Sequence, residues 1–292
     1  MPNKHKVDYE VPIVKVQTYT KEEIFQKNLL MFLPFYIMRY EKDIKGKKNG
    51  ILLGYRKENS MSEQVGEILS LEKAISIQNT LRPKIKLCGC DIESFKAVAG
   101  VDLAYWTEGN EECAVCCIVV LERETKKVIE TEYTFGKIDV PYIPGCLAFR
   151  ELPLILETVK KLHTQPDLYI FDGNGYLHPR HMGIATHASF YLNKPTMGVA
   201  KKYYKIDDTE LVLPPNEKNA YTDIVINGEV YGRALRTIVN VKPIFVSVGN
   251  YIDLDTATRV ACDFTNSESH IPLPTRLADI ETHKMRKVRV IE

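Results

Sequence analysis

The sequence lacks any long apolar segment and any secretory signal. Its longest apolar run, from Leu29 to Met38, is interrupted by Pro34 and is far shorter than the roughly 20 residues that cross a bilayer. The N-terminus has neither the apolar core nor the small-residue cleavage site of a secretory leader. We therefore expect a cytoplasmic protein with no membrane contact, in which the seven cysteines are thiols.

An excess of charge of one sign is also lacking, because 39 Lys and Arg residues balance 38 Asp and Glu residues to give a net charge of +1. A general electrostatic attraction to nucleic acid is therefore excluded, and any such contact has to come from local basic patches at 201–205 and 283–289. The chain contains no GxxxxGK[ST] phosphate loop and no GxGxxG after a strand, so neither nucleoside-triphosphate nor dinucleotide enzymes are supported.

The amino-acid composition of the chain changes at the basic stretch 42–50. This stretch has the composition of a linker, and the segment before it, 21–43, favours helix. We expect an N-terminal helical extension with its linker over 1–60 and a separate domain over 61–292, whose first helix covers 62–81.

After residue 96, short apolar runs alternate with helical patterns, which predicts an α/β fold with a mixed sheet. Pro153 is expected only in the first turn of a helix, so the helix that contains it should begin near Phe149 or kink there. The predicted strands are 97–105, 113–122, 127–136, 167–173, 195–201 and 243–250, with a hairpin across Asn227–Gly228. The other predicted helices are 181–192, 253–265 and a terminal helix after Arg276.

Three carboxylates occupy positions where a charge needs a partner. Asp102 lies inside an apolar strand, Asp172 ends a buried apolar run, and Glu151 falls on the core-facing stripe of its helix. Capping or turn-forming roles would also explain Asp102 and Asp172. The sequence shows no matching set of three cationic side chains, however, so the three carboxylates predict a divalent metal ion. Because all the ligands would be oxygen atoms, Mg²⁺ or Mn²⁺ is favoured. Such a site supports hydrolysis at phosphorus.

Six motifs along the chain resemble, in order, those of the endonuclease V family over about residues 61–286. They are GVDLAY (100–105), PYIPGCLAFRE (141–151), DGNGYLHPRHMGIATH (172–187), PTMGVAKK (195–202), PIFVSVGN (243–250) and PLPTRLAD (272–279). The resemblance implies a ribonuclease H-like mixed central sheet flanked by helices. It also implies a monomeric, metal-dependent repair enzyme that cleaves DNA at the second phosphodiester bond 3′ to deoxyinosine, leaving 3′-hydroxyl and 5′-phosphate ends.

The resemblance also implies roles for individual residues. Asp102, Glu151 and Asp172 match the metal-binding carboxylates of the family. Asp279 matches a fourth catalytic position that is Asp in some members and His in others, although the residues alone predict an exposed helix position there. Lys201 matches the active-site lysine of the family.

Further matches concern the recognition of the damaged base. PYIP at 141–144, called the wedge below, matches a loop that enters the gap left when the base turns out of the stack. Its two prolines stiffen the loop and Tyr142 offers a flat stacking face, whereas an ordinary hairpin would bury this tyrosine in the core. His178 matches a histidine near the scissile strand. The matching base pocket consists of Leu147, Gly173, Gly183 and Ile184.

Two departures from the family pattern leave alternatives open. Asn174 stands where many bacterial members have His, and the same Asn occurs in members associated with inosine in RNA, so an inosine-specific endoribonuclease on single-stranded RNA is the first alternative. Residues 11–45 resemble a fragment of the PD-(D/E)XK transposase-associated (Rpn-type) nucleases without the catalytic trio. We expect this extension to be non-catalytic. The second alternative is a nucleic-acid-binding protein whose cleavage was lost when the extension was joined, although the intact carboxylate set argues against it.

Overall fold

The computed structural model describes residues 38–39, 52–53 and 70–291. The chain divides into two units, Met1–Val65 and Gly66–Glu292. Among the described residues, no helix has the length and apolar character needed to span a bilayer.

In the first unit, strands β1 (Met38–Arg39) and β2 (Leu52–Leu53) pair in antiparallel fashion. The prediction of helix over 21–43 is therefore wrong at Met38–Arg39, where the backbone pairs with a second strand. The remainder of that segment, the predicted linker at 42–50 and residues 62–69 of the predicted first helix lie outside the described residues.

The second unit is built on an eight-stranded sheet flanked by helices. Its strands are β3 (Ala97–Glu108), β4 (Glu111–Glu122), β5 (Val128–Lys137), β6 (Leu168–Asp172), β7 (Thr196–Ala200), β8 (Ala220–Ile226), β9 (Glu229–Arg236) and β10 (Ile244–Asn250). Its α-helices are α1 (Leu71–Leu81), α2 (Leu147–Val159), α3 (Ile184–Leu192), α4 (Leu254–Asp263) and α5 (Leu273–Ile291). Short 3-10 helices cover Arg82–Lys84 and Ile92–Ser94.

The strand order in the sheet is β5-β4-β3-β6-β7-β10-β9-β8. The pairs β3/β6 and β6/β7 are parallel and the other pairs are antiparallel, which confirms the predicted mixed sheet. The predicted hairpin is also present between β8 and β9, where Asn227 and Gly228 have φ angles of 52° and 82°. Two positive φ angles are what a tight two-residue turn of matching twist requires.

The two faces of the sheet carry separate hydrophobic layers. Alternate residues of β3 divide between them: Val98 packs in the layer that includes α4 and α5, whereas Ala97, Ala99 and Val101 pack in the layer that includes α2 and α3. Strands covered on both faces are nearly continuous in apolar residues, which explains why the sequence predicted them well.

Helix α2 differs from its prediction, because it begins at Leu147 and contains Pro153 in its interior. An interior proline costs about 3 kcal/mol. Leu152, Leu154 and Ile155 are all buried around it, and burial of each such side chain contributes about 1.5–3 kcal/mol. The packing of this helix against the sheet therefore offsets the cost of Pro153, and the helix begins two residues before the predicted start at Phe149.

Candidate active site

Strand register brings Asp102 and Asp172 side by side. Strands β3 and β6 are parallel neighbours, and Val101 pairs with Phe171, so the next residue on each strand is one of the two aspartates. Ligands in α/β proteins gather at the carboxyl ends of such strands, and Asp172 is the last residue of β6.

Helix α5 brings a third carboxylate, Asp279, to the same place. A Cβ atom on Gly100 of β3 would lie 2.0 Å from the backbone of Pro274, so only glycine at this position lets the start of α5 approach the strand. Carboxylate oxygens of Asp102, Asp172 and Asp279 all lie within 4.8 Å of one another. The side chain of Asp279 is only 17% exposed, and the expectation of an exposed helix position is therefore wrong, because α5 packs its aspartate against the strand ends.

The cluster concentrates negative charge in a partly buried place. Burial raises the pKa of Asp102 to about 7, and the charges of Asp172 and Asp279 add to the shift. The hydroxyl of Thr282 lies 3.2 Å from Asp102 Oδ2, one turn along α5 from Asp279. A charged Asp102 is therefore unfavourable in this arrangement unless a further cation is close.

Lys201 is the lysine of this cluster. It follows β7, and its Nζ atom lies 2.6 Å from Asp172 Oδ2 and 3.5 Å from Asp279 Oδ2. Burial lowers the pKa of Lys201, but the hydrogen bond to Asp172 and the nearby carboxylates outweigh it and leave the pKa raised. The ammonium group is therefore a fixed positive charge rather than a proton acceptor.

Glu151 is buried on α2 but does not belong to the three-aspartate group. Its Oε1 atom accepts a hydrogen bond of 2.5 Å from the Tyr105 hydroxyl. Burial raises the pKa of Glu151 to about 7, although the Tyr105 bond opposes the shift. Among the site residues, Asp172 is the one whose charge also acts on Glu151, so the glutamate lies beside the cluster with its carboxyl turned to Tyr105.

The donor set fits a hard divalent cation. Three carboxylates converge, burial together with the charges of Asp172 and Asp279 raises the pKa of Asp102, and carboxylate oxygens are the ligands that Mg²⁺ and Mn²⁺ prefer. Asp102, Asp172 and Asp279 are the residues placed to hold such an ion directly. Glu151 would join them through a change of its side-chain rotamer or through water.

A second acidic group, Glu130, Glu132 and His163, differs from this cluster. Glu130 accepts hydrogen bonds of 2.7 and 2.8 Å from the backbone N–H groups of His163 and Thr164. Burial raises the pKa of Glu130, but these bonds outweigh it and hold the pKa at about 2. These backbone donors thus satisfy the carboxylate of Glu130, which has no need of a bound cation.

The residues predicted to recognise the base lie in the loop after β6 and at the N-terminal ends of α2 and α3. A Cβ on Gly173 would lie 2.8 Å from Ile184 Cγ2, and one on Gly183 would lie 2.2 Å from the carbonyl oxygen of Asn174. Gly173, Gly183 and Ile184 are therefore brought together, and the close approach of Gly183 to the loop after β6 already accounts for glycine at 183. Leu147 is the first residue of α2.

The wedge precedes α2, and its tyrosine is exposed. Tyr142 is 67% exposed, so the alternative of a core tyrosine is wrong. His178 is buried, and its Nδ1 atom accepts backbone N–H bonds from Arg180 and Met182 at 3.1 and 3.2 Å. Its other nitrogen faces the carbonyl oxygen of Gly145 at 3.0 Å. Both nitrogens of His178 are thus engaged within the protein.

Sequence reasoning missed four residues that touch the site carboxylates. Arg276 Nη1 and His283 Nε2 lie 3.4 and 3.3 Å from the carboxylate oxygens of Asp279, and the other two are Tyr105 and Thr282. Tyr105 belongs to the motif GVDLAY, and its odd number on β3 places it on the face covered by α2, which carries Glu151. Thr282 lies three residues after Asp279, which is helical spacing. The strand face of Tyr105 and the helical spacing of Thr282 could be derived from the sequence, but their significance depends on which elements pack against them.

Comparison with known proteins agrees with this geometry. The sequence profile of the family described as Endonuclease V matches residues 65–280. The endonuclease V of Bacillus thuringiensis subsp. konkukian is 61% identical over 218 residues, which is 74% of this chain and 93% of that protein. That of Bacillus subtilis (strain 168) is 54% identical over 217 residues, 74% of this chain and 87% of that protein.

Solved structures resemble the fold as well. The crystal structure of the Bacillus subtilis endonuclease V has a TM-score of 0.75 at 52% identity and covers 76% of this chain and 94% of its own. Endonuclease V of Ciona intestinalis, solved in complex with a 24mer DNA containing an inosine followed by a ribo-adenosine, has a TM-score of 0.66 at 30% identity, covering 76% of this chain and 99% of its own. The predicted ribonuclease H-like fold is confirmed by these neighbours, and the chain belongs to the endonuclease V family of nucleases, which hydrolyse phosphodiester bonds.

Proposed function

We propose that the protein is a metal-dependent endonuclease of DNA repair that cleaves the second phosphodiester bond 3′ to deoxyinosine and leaves 3′-hydroxyl and 5′-phosphate ends. One observation carries this proposal: Asp102, Asp172 and Asp279 converge within 4.8 Å beside Lys201 in a chain of this family. The DNA complex of the Ciona intestinalis relative contains inosine, which supports the choice of damaged base.

We assign Mg²⁺, with Mn²⁺ as its substitute, to the three aspartates, with Glu151 completing the ligand set. When bound, the cation supplies activation of water and neutralises charge on the leaving oxygen. In the reaction a water oxygen bonds to phosphorus and releases a proton to solvent, while the bond from phosphorus to the 3′-oxygen breaks and that oxygen takes up a proton from solvent. The phosphate therefore stays on the downstream strand. Lys201 offsets the negative charge that grows on the phosphoryl oxygens.

Recognition of the base is assigned to a separate group of residues. We place the flipped hypoxanthine against Leu147, Gly173, Gly183 and Ile184, where glycine lets the backbone approach the edge of the base closely. A hypoxanthine pair is weaker than a normal pair, so its base turns out of the stack at lower cost. We assign His178 a supporting role near the scissile strand, because its Nδ1 atom holds the loop that follows β6.

Replacing Tyr142 with alanine should weaken the choice of inosine over adenosine. The exposed ring is lost as a stacking surface, and base–aromatic stacking contributes about 1–3 kcal/mol, so cleavage of a duplex with inosine should fall by about tenfold. Cation affinity should stay unchanged. Tyr221→Ala, which removes an exposed tyrosine of β8, is the control. Unchanged preference for inosine in Tyr142→Ala would remove the wedge role.

We assign catalysis to residues 61–292 and a non-catalytic role to the extension over 1–60. The match of the family profile to residues 65–280 supports this division, as does the absence of a PD-(D/E)XK trio before residue 61. The monomeric state and the cytoplasmic location expected from the sequence stay predictions.

The deciding experiment uses end-labelled DNA and RNA strands, each with one inosine or with adenosine in its place. We expect cutting one nucleotide beyond the inosine in Mg²⁺ or Mn²⁺, none in chelator, and faster cutting of DNA than of RNA. Faster cutting of RNA would favour the endoribonuclease, since 2′-hydroxyl contacts distinguish the two. Binding without cutting, by both the full chain and the chain that starts at Met61, would favour the non-catalytic binder.

A further inference from the structure

The carbonyl oxygen of Gly145 receives hydrogen bonds from three side chains that lie far away in the sequence. Gln78 Nε2 on α1 and Arg180 Nη2 each donate to it at 2.9 Å, and His178 Nε2 lies 3.0 Å from it. A carbonyl oxygen has two lone pairs, so three donors fill it completely. Gly145 directly follows the wedge, and these donors therefore hold one end of that loop.

Gln78 and Arg180 also hold each other. Arg180 Nε donates to Gln78 Oε1 at 2.5 Å, so the amide of Gln78 uses its oxygen for Arg180 and its nitrogen for Gly145. Gln78 is fully buried. A buried amide with both ends paired fixes its partners, because breaking either bond leaves an unsatisfied polar group.

The protonation of His178 follows from its own partners. Two backbone N–H groups, those of Arg180 and Met182, donate to Nδ1, so this nitrogen carries no proton. Burial lowers the pKa of His178 to about 4, so the ring is neutral near pH 7. Its single proton is on Nε2 and is donated to Gly145.

Gly145 is itself suited to this arrangement. Its φ angle is 74°, in the left-handed region that favours glycine. A Cβ atom there would lie 2.8 Å from Arg180 Nη2 and would displace the guanidinium. At the other end of the wedge, Arg150 Nη1 donates to the carbonyl oxygen of Val140 at 2.8 Å, so both ends of the loop are tied to the protein while its tip is exposed.

We propose that Gln78 and Arg180 are positioning residues that hold the wedge at the angle needed to enter a base stack, and that they thereby set the enzyme's ability to open paired inosine. This inference rests on the proposed function, since the wedge acts only when a base is flipped. The side-chain partners of these two residues are each other, Gly145 and Cys146 rather than the three aspartates. Their contribution is geometric, because a loop held at both ends enters the stack without first being ordered.

Gln78→Met tests the proposal, since methionine has a similar size but neither donor nor acceptor. Asn79→Met, at the exposed next position of α1, is the matched control. Two substrates are compared: inosine paired within a duplex, and inosine within a weakly stacked single strand of thymidines. We expect Gln78→Met to lower cleavage of the duplex by about tenfold and cleavage of the single strand by less than about twofold, with Asn79→Met equal to wild type on both. An equal loss on both substrates would show a merely structural role and overturn the proposal.

Hydrogen–deuterium exchange of the free protein gives an answer independent of cleavage. Cys146 N–H donates to Ile143 O at 2.9 Å, and exchange in 141–146 should rise by about tenfold in Gln78→Met and stay unchanged in Asn79→Met. Arg180→Lys, which cannot reach both Gln78 and Gly145, should act in the same way and serves if Gln78→Met does not fold. Unchanged exchange in a folded variant would overturn the proposal. Failure of the wild type to cut either substrate would overturn the proposed function instead, while the exchange result would still decide whether the wedge is held.

Discussion

Asp172→Asn is expected to lower cleavage of inosine-containing DNA by at least about a thousandfold, which corresponds to about 4 kcal/mol of transition-state stabilisation. Asparagine keeps the shape of the side chain but removes the charge from the carboxylate that contacts Lys201 at 2.6 Å and stands beside Asp102. The loss should come from weaker cation binding, because the remaining oxygen is a poorer ligand for a hard divalent ion.

Two further measurements separate this cause from misfolding. Titration with Mn²⁺ is done at pH 8, because burial raises the pKa of Asp102 and Glu151 to about 7 and protons compete with the cation at lower pH. Cation affinity should fall, whereas affinity for the DNA strand should stay the same or rise, since one negative charge is removed near the phosphates. Asp208→Asn, at a fully exposed position, is the matched control. Full activity in Asp172→Asn would exclude the metal assignment.

Lys201→Met is expected to lower cleavage by about a hundredfold or more, the usual cost of removing one preorganised positive group from a developing negative charge. Its raised pKa keeps the ammonium charged, and it stands 2.6 and 3.5 Å from two of the three aspartates. Methionine retains most of the side-chain volume without the charge.

The cation titration should distinguish this variant from Asp172→Asn. Removing a positive charge from the cluster also removes a competitor for the carboxylates, so Mn²⁺ affinity should be kept or increased while cleavage falls. Lys202→Met, at the exposed neighbouring position, is the control and should behave as wild type. A loss of Mn²⁺ affinity equal to that of Asp172→Asn would show that Lys201 acts through the metal site rather than on the substrate.

The strands of the second unit were largely predictable because strands that are buried on both faces consist of nearly continuous apolar residues. The apolar runs at 97–105 and 113–122 became β3 and β4 with small changes of boundary. The start of α2 was harder to predict, since the local rule on Pro153 was outweighed by packing against the sheet. The partly buried position of Asp279 was also hidden, because it depends on the close approach of α5 to β3 at Gly100 rather than on a pattern within the sequence of the helix.

The sequence by itself determined the family, the alternation of strands and helices, and the carboxylates at Asp102, Glu151 and Asp172, because each depends on residue types and spacing within a short segment. Only the tertiary structure decided which carboxylates meet, since the group of three depends on the register of β3 with β6 and on the close approach of α5 at Gly100. The partners of Glu151 and Gly145 were likewise decided by tertiary structure. Gln78 and Arg180 are separated by 102 positions, and no local pattern records a hydrogen bond over that distance, because folding alone brings its donor and acceptor together.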